Sequence, residues 1–98
     1  MNIEKIKDSD KLTLKIEGRI DTKTAPEFDE TVKSSLDGIS SLIIDLKETA
    51  YISSAGLRVL LIAQKQMNKQ GEMKIINVSE DIMEIFEVTG FSDILTIA

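Results

Sequence analysis

Two adjacent hydroxyls, Ser53 and Ser54, stand directly before Ala55-Gly56 and an apolar run, and they are the side chains here whose type and place admit chemistry. A serine serves either as a nucleophile, when a base takes its proton, or as an acceptor, when another protein brings the reactive group. The chain contains no histidine and no cysteine. A Ser-His-Asp system is therefore excluded, no thiol is available, and zinc lacks its usual nitrogen and sulfur ligands. The glycines at 18, 38, 56, 71 and 90 fit neither a phosphate-binding P-loop nor a dinucleotide fingerprint, so no cofactor is implied. The serine pair reads as a substrate for a visiting enzyme. The enzymatic rival is a hydrolase using Ser54, which a serine-directed acylating probe would label.

The hydroxyls must be positioned by the elements on either side. Leu42, Ile43, Ile44 and Leu46, interrupted only by Asp45, read as a strand buried on both faces. Lys47 to Thr49 is a short polar linker, Ala50-Tyr51-Ile52 leads into the serines, and from Leu57 the apolar spacing turns helical. The unit is strand, loop, helix. The first N–H groups of a helix lack internal partners and serine is among the best residues for capping them, so Ser53 or Ser54 is the expected N-cap. On pattern alone the cap is the more common role for such a pair. The same place carries the positive end of the helix dipole, where a phosphate would be favoured by roughly 0.3–1 kcal/mol.

The remaining segments build a frame around that unit. Leu12, Leu14 and Ile16 alternate with polar residues, and the polar stretch Lys7 to Lys11 joins this strand to an earlier one containing Ile3 and Ile6 as a hairpin. Thr24 and Glu27 match a capping box, Pro26 is tolerated in a first turn, and Phe28, Val32 and Leu36 mark one face of a helix that Gly38 stops. The central helix extends to about Asn68, with an apolar surface wider than one stripe requires. Met73 to Val78 forms another strand. Ser79, followed by Glu80 and Asp81, caps a last helix with Ile82, Ile85, Phe86 and Thr89 inward, and Ile94 to Ile97 is a final strand or extended tail.

The order ββαβαβα(β) predicts one α/β domain with a mixed, mostly parallel sheet of four or five strands and helices packed on it. Partners of such sheets gather at the C-terminal ends of the parallel strands, where Asp21, Asp45 and Ser53-Ser54 are expected to converge. Each acidic residue also has an ordinary role. Asp21 can cap the first helix, and Asp45 can bond loop amides or orient the loop that carries the hydroxyls. Arg58 is a solvated side chain or one half of a partner ion pair, and Val59 and Ile62 are expected under protein cover.

Composition narrows the classes further. A chain of 98 residues holds one core. Twelve basic residues against seventeen acidic give a formal charge of −5 with no basic cluster, which argues against nucleic acid or an anionic membrane as the main partner. The absence of cysteine suits a reducing cytoplasm, and neither a signal-peptide pattern nor a membrane-length apolar run is evident.

Across nearly its whole length the chain resembles the STAS family, specifically the small bacterial anti-sigma-factor antagonists. The resemblance rests on Gly18-Arg19-Ile20-Asp21, Ile44-Asp45-Leu46, Ile52-Ser53-Ser54-Ala55-Gly56-Leu57 and Thr89-Gly90-Phe91, in that order. In that family the serine two residues before the helix-opening glycine is phosphorylated, which implies Ser54. Many members carry an acidic residue just before it where this chain has Ser53, leaving Ser53 as the second candidate. The resemblance implies a non-enzymatic switch: the unphosphorylated form binds an anti-sigma factor that is itself an ATP-dependent serine kinase, freeing the sigma factor. Phosphorylation ends that binding, and a PP2C-type phosphatase restores it. The residues expected to meet the partner are Asp21, Asp45, Ser53, Ala55, Gly56, Arg58 and Ile62. The alternative within the family is an accessory subunit of an ATP-driven transporter, or a stress-signalling scaffold, without a phosphoserine.

Overall fold

A computed structural model describes residues 1–98. The chain starts as a hairpin of β1 (Asn2–Asp8) and β2 (Lys11–Ile20), paired antiparallel so that Ile3 faces Ile16 and Asp8 faces Lys11. Leu12, Leu14, Ile16 and Ile20 all lie on the buried side of β2, while its intervening polar residues face outward. That alternation marks a sheet covered on one face and open on the other.

Helix α1 (Ala25–Ser35) buries Ala25, Phe28 and Val32 at helical spacing and returns the chain to β3 (Ser41–Asp45), which pairs parallel to β2 with Leu12 opposite Leu42. Helix α2 (Ser54–Gln70) then crosses to β5 (Glu72–Ile76), parallel to β3 on its far side. Helix α3 (Glu80–Thr89) packs Ile82 and Phe86 into the same core, and a short 3-10 turn at Phe91–Asp93 follows. The tail touches the sheet at one point, where Ile97 bridges Ile75, so it is an extended tail. The strand order is β1-β2-β3-β5, a five-stranded, mostly parallel mixed sheet once the remaining strand is added.

That remaining strand, β4 (Thr49–Ile52), corrects the expected element order, because the stretch reads as linker and loop in the sequence. It pairs parallel to the distal end of β2, with Arg19 opposite Tyr51 and Ile20 opposite Ile52. Its cause lies in β2, whose register shifts between Gly18 and Arg19; Gly18 sits at φ +102°, a conformation L side chains resist, and its N–H reaches Glu48 O at 3.0 Å. The buried Thr49 hydroxyl fixes the same junction by donating to Ile16 O at 2.7 Å.

Several details at the helix ends differ from expectation. Thr24 does not form a capping box: its backbone is helical and its hydroxyl instead accepts from Asp21 N (2.8 Å) and donates to Arg19 O (2.7 Å). Thr89 is exposed rather than inward, its hydroxyl donating to Ile85 O within α3. Ser79 caps α3 as its position predicts, accepting from Ile82 N.

Candidate functional site

The site is built where β2 and β4 end together and α2 begins. Ser53 N–H donates to Ile20 O at 2.8 Å, which prolongs the β2–β4 pairing by one residue and delivers the chain to the helix in extended conformation. Ser53 is the N-cap residue by position, with φ −93° and ψ 176°, and its carbonyl accepts the first helical bond from Leu57 N at 2.9 Å. Its hydroxyl, however, makes no capping bond; the Oγ is buried and has no partner. Ser54, the first residue of α2, is exposed. The strand pairing has thus turned one hydroxyl inward and left the other to solvent. The expected side-chain cap is absent, and the first N–H groups of α2 receive no hydroxyl from Ser53.

Gly56 explains how the helix start comes so close to the sheet. A Cβ at this position would stand 2.6 Å from Ile20 Cγ2 and 2.7 Å from Ile52 Cγ1, both in fully buried side chains. Only a residue without a side chain lets the first turn of α2 rest on β2 and β4. Gly56 is therefore a packing residue under the site, not part of an exposed surface.

Asp21 organises the facing loop. Its Oδ1 accepts from Lys23 N (3.0 Å) and Thr24 N (3.1 Å), and its carbonyl accepts from Ala25 N (2.8 Å), so Asp21 nucleates the turn that opens α1. The Thr24 N–H bond, aided by those of Lys23 N and the Thr24 hydroxyl and by the Arg19 charge, holds its carboxyl below the ordinary value of 3.8. Arg19, whose guanidinium lies 4.4 Å from the centre of the Tyr51 ring and 3.8 Å from Asp21 Oδ2, joins this loop to β4. Sequence reasoning missed the Arg19–Tyr51 pair, since the two residues become neighbours only through β4.

Between α1 and α2 runs a groove lined by Ala25, Pro26 and Asp29 on one wall and by Ala55, Arg58, Val59 and Ile62 on the other. Three of the expected contact residues, Ala55, Arg58 and Ile62, thus share one surface next to Ser54. Arg58 is exposed, Ile62 is half-buried, and Val59 is buried.

Asp45 does not join them. Its Oδ1 accepts from Lys47 N (2.9 Å) and Asn77 Nδ2 (3.0 Å), which ties the β3–β4 turn to the end of β5. It lines a polar cleft with Glu4, Lys15, Glu17, Lys47 and Glu48 on the uncovered side of the sheet, and β4 lies between it and the serines along the chain. The expected convergence therefore holds for the β2 and β4 ends, while Asp45 takes its ordinary role as a partner for loop amides.

Comparison with known proteins agrees with this architecture. An anti-sigma-B factor antagonist of Listeria monocytogenes is 37% identical over 103 residues, spanning 99% of this chain and 90% of that protein. A crystal structure of an anti-sigma factor antagonist from Mycobacterium paratuberculosis superposes with a TM-score of 0.88 at 18% identity, over 98% of this chain and 83% of that one. The Bacillus cell fate determinant SpoIIAA in its phosphorylated form superposes with a TM-score of 0.77 at 12% identity, over 99% of this chain and 91% of that one. No helix is long and apolar enough to cross a membrane. The model of the STAS domain matches residues 2–98, and the chain belongs to the STAS domain family.

Proposed function

We propose that this protein is an anti-sigma-factor antagonist controlled by phosphorylation of Ser54. The observation that carries the reading is the sorting of the two hydroxyls: Ser54 is exposed at the first residue of α2, beside the α1–α2 groove, whereas the Ser53 oxygen is buried. A kinase reaches the first without moving the backbone and the second only by opening the β2–β4 end. The name borne by the relative from Listeria monocytogenes and the existence of a phosphorylated form of a protein with this fold support the same reading. The partner is an anti-sigma factor acting as an ATP-dependent serine kinase, a PP2C-type phosphatase reverses the reaction, and the exchange takes place in the cytoplasm.

The physical switch follows from where the charge arrives. Phosphate adds about −1.5 to −2 at neutral pH. At the N-terminus of α2 it meets N–H groups that no side chain satisfies, so the fold tolerates it. A partner covering Ala55, Arg58 and Ile62 also covers Ser54, and an uncompensated charge buried there costs about 3–5 kcal/mol, roughly a hundredfold or more in affinity. Asp21 shapes the rim of this surface through the turn it holds.

Phosphopeptide mapping after reaction with the cognate kinase and ATP tests the reading, with phosphate expected on Ser54 alone. Ser54→Ala binds the kinase and takes no phosphate; Ser54→Asp stays folded and binds at least about a hundredfold more weakly. Phosphate on Ser53, or undiminished binding by folded Ser54→Asp, overturns it.

A further inference from the structure

The net charge of this molecule is concentrated at one end of the chain. Glu80, Asp81, Glu84, Glu87 and Asp93 are the acidic residues of α3 and the 3-10 turn, no basic residue follows Lys74, and the remainder carries twelve acidic and twelve basic residues. Helix physics explains only part of this. Glu80 and Asp81 lie in the first turn, where the dipole favours them. Glu84 repels Glu80 one turn away and Glu87 three residues on, and Glu87 sits near the negative end of the helix with no basic residue in the last turn.

On the same helix, Val88 is 80% exposed, more than any other large apolar side chain, and Ile85 beside it is half-buried. Asp81, Glu84, Ile85 and Val88 recur at the i, i+3, i+4, i+7 spacing of a single stripe, and with Thr89 they line a shallow groove. Ile82 and Phe86 fill the inward side of α3 and Ile85 rests partly against the same core, so what the chain leaves uncovered is Val88 with the outer edge of Ile85, flanked by carboxylates. It shares no residue with the α1–α2 groove.

We propose that the α3 stripe is a docking surface for a basic amphipathic protein segment, with an apolar side chain seated on Ile85 and Val88 and Lys or Arg side chains reaching Asp81, Glu84 and Glu87. The sign of the charge selects the occupant. Anionic lipid and nucleic acid are repelled, and a second copy would set carboxylates against carboxylates. A simple cation has no use for Val88. The surface is independent of Ser54, so its occupancy is unaffected by the phosphate.

The test uses the full 15N-labelled chain titrated with a synthetic helical peptide bearing Leu and Arg at i, i+4 spacing. The expected result is saturable amide shifts confined to α3 and the 3-10 turn, with affinity falling as salt rises from 50 to 200 mM in the added buffer, about tenfold. Val88→Ser and the pair Glu84→Lys with Glu87→Lys each weaken binding about tenfold with melting temperature preserved, while Asp29→Lys with Glu30→Lys on α1 and Ser54→Asp leave it unchanged. Shifts spread over the whole surface, equal loss on reversing the α1 charges, no effect of Val88→Ser, or self-association through Val88 in sedimentation would each overturn the proposal.

Discussion

Gly56→Ala asks whether the close seating of α2 on the sheet is sterically set. The added methyl would lie 2.6 Å from Ile20 Cγ2, 2.7 Å from Ile52 Cγ1 and 3.3 Å from Ile20 Cβ. Carbon atoms at rest stand about 3.5–4.0 Å apart, so two contacts are short by about 1 Å. Both neighbours are β-branched, stiff at χ1 and fully buried, which leaves little room to swing away. Overpacking of this kind costs about 1–3 kcal/mol, and the severity of two clashes places it in the upper half. Alanine returns at most about 1 kcal/mol of helix propensity, so the packing term wins and the net loss is about 1–2 kcal/mol. For a domain of this length that lowers the melting temperature by roughly 5–15 °C, readable by circular dichroism or calorimetry. A double-mutant cycle with Ile20→Ala isolates the cause: Ile20→Ala alone costs about 2–5 kcal/mol, and the Gly56→Ala methyl should then occupy part of the vacated space, giving a favourable coupling of at least about 0.5 kcal/mol. A Gly56→Ala variant as stable as wild type, or strict additivity in the cycle, would refute the steric account.

Three further outcomes follow from particular bonds. Gln64 is 5% exposed and its Oε1 is buried without a partner, although Nε2 donates to Asn68 Oδ1 at 2.8 Å, so Gln64→Met should raise the urea midpoint by about 0.5–2 kcal/mol of stability at constant slope; a fall instead means the oxygen is satisfied. Thr49→Val keeps the shape but removes the donor to Ile16 O, and should cost about 1–2 kcal/mol with amide exchange accelerated first in β4; uniform acceleration would deny β4 a separate stability. Asp10, bonded to the Ser40 hydroxyl at 2.5 Å, and Asp21, bonded to Thr24 N, are both held below 3.8. The folded state therefore binds fewer protons than the unfolded one, and the stability they contribute is present above about pH 4 and lost as pH falls through the lowered values. Asp21→Asn with Asp10→Asn should flatten the melting-temperature profile in that acidic window and leave its slope near neutrality unchanged.

How much of this molecule was legible beforehand depends on whether each signal was local. The alternation of Leu12, Leu14 and Ile16 and the helical spacing of Phe28 and Val32 are local, and the corresponding elements appear where they were expected. Ser79 is a local signal too, a cap with no competing bond. β4 is different: its residues Thr49 to Ile52 have too short a pattern to announce a strand, and it exists because β2 continues past Gly18 with a shifted register. The same distant cause places Tyr51 under Arg19. At Thr24 two local signals conflict, and the Asx turn of Asp21 takes the backbone N–H groups before a capping box can form.

Ser53 shows why a capping propensity cannot by itself say which of two hydroxyls is exposed. Its residue type and place favour a side-chain bond to the helix, yet the backbone bond from its N–H to Ile20 O sets the direction in which its side chain leaves the chain. That bond is one more rung of the β2–β4 ladder, so tertiary pairing, not the helix, decides which of two neighbouring hydroxyls meets solvent. Gly56 completes the arrangement from below by letting the helix start lie directly on Ile20 and Ile52. On the proposed assignment of the phosphate to Ser54, a change that loosens β4 without overpacking the core, such as loss of the Thr49 hydroxyl, therefore acts on the selectivity between Ser53 and Ser54 before it acts on the core. If the proposed phosphorylation of Ser54 holds, Thr49→Val should make the Ser53 oxygen reachable while the global fold persists, and phosphopeptide mapping should then find phosphate on both serines; phosphate still confined to Ser54 would refute the link.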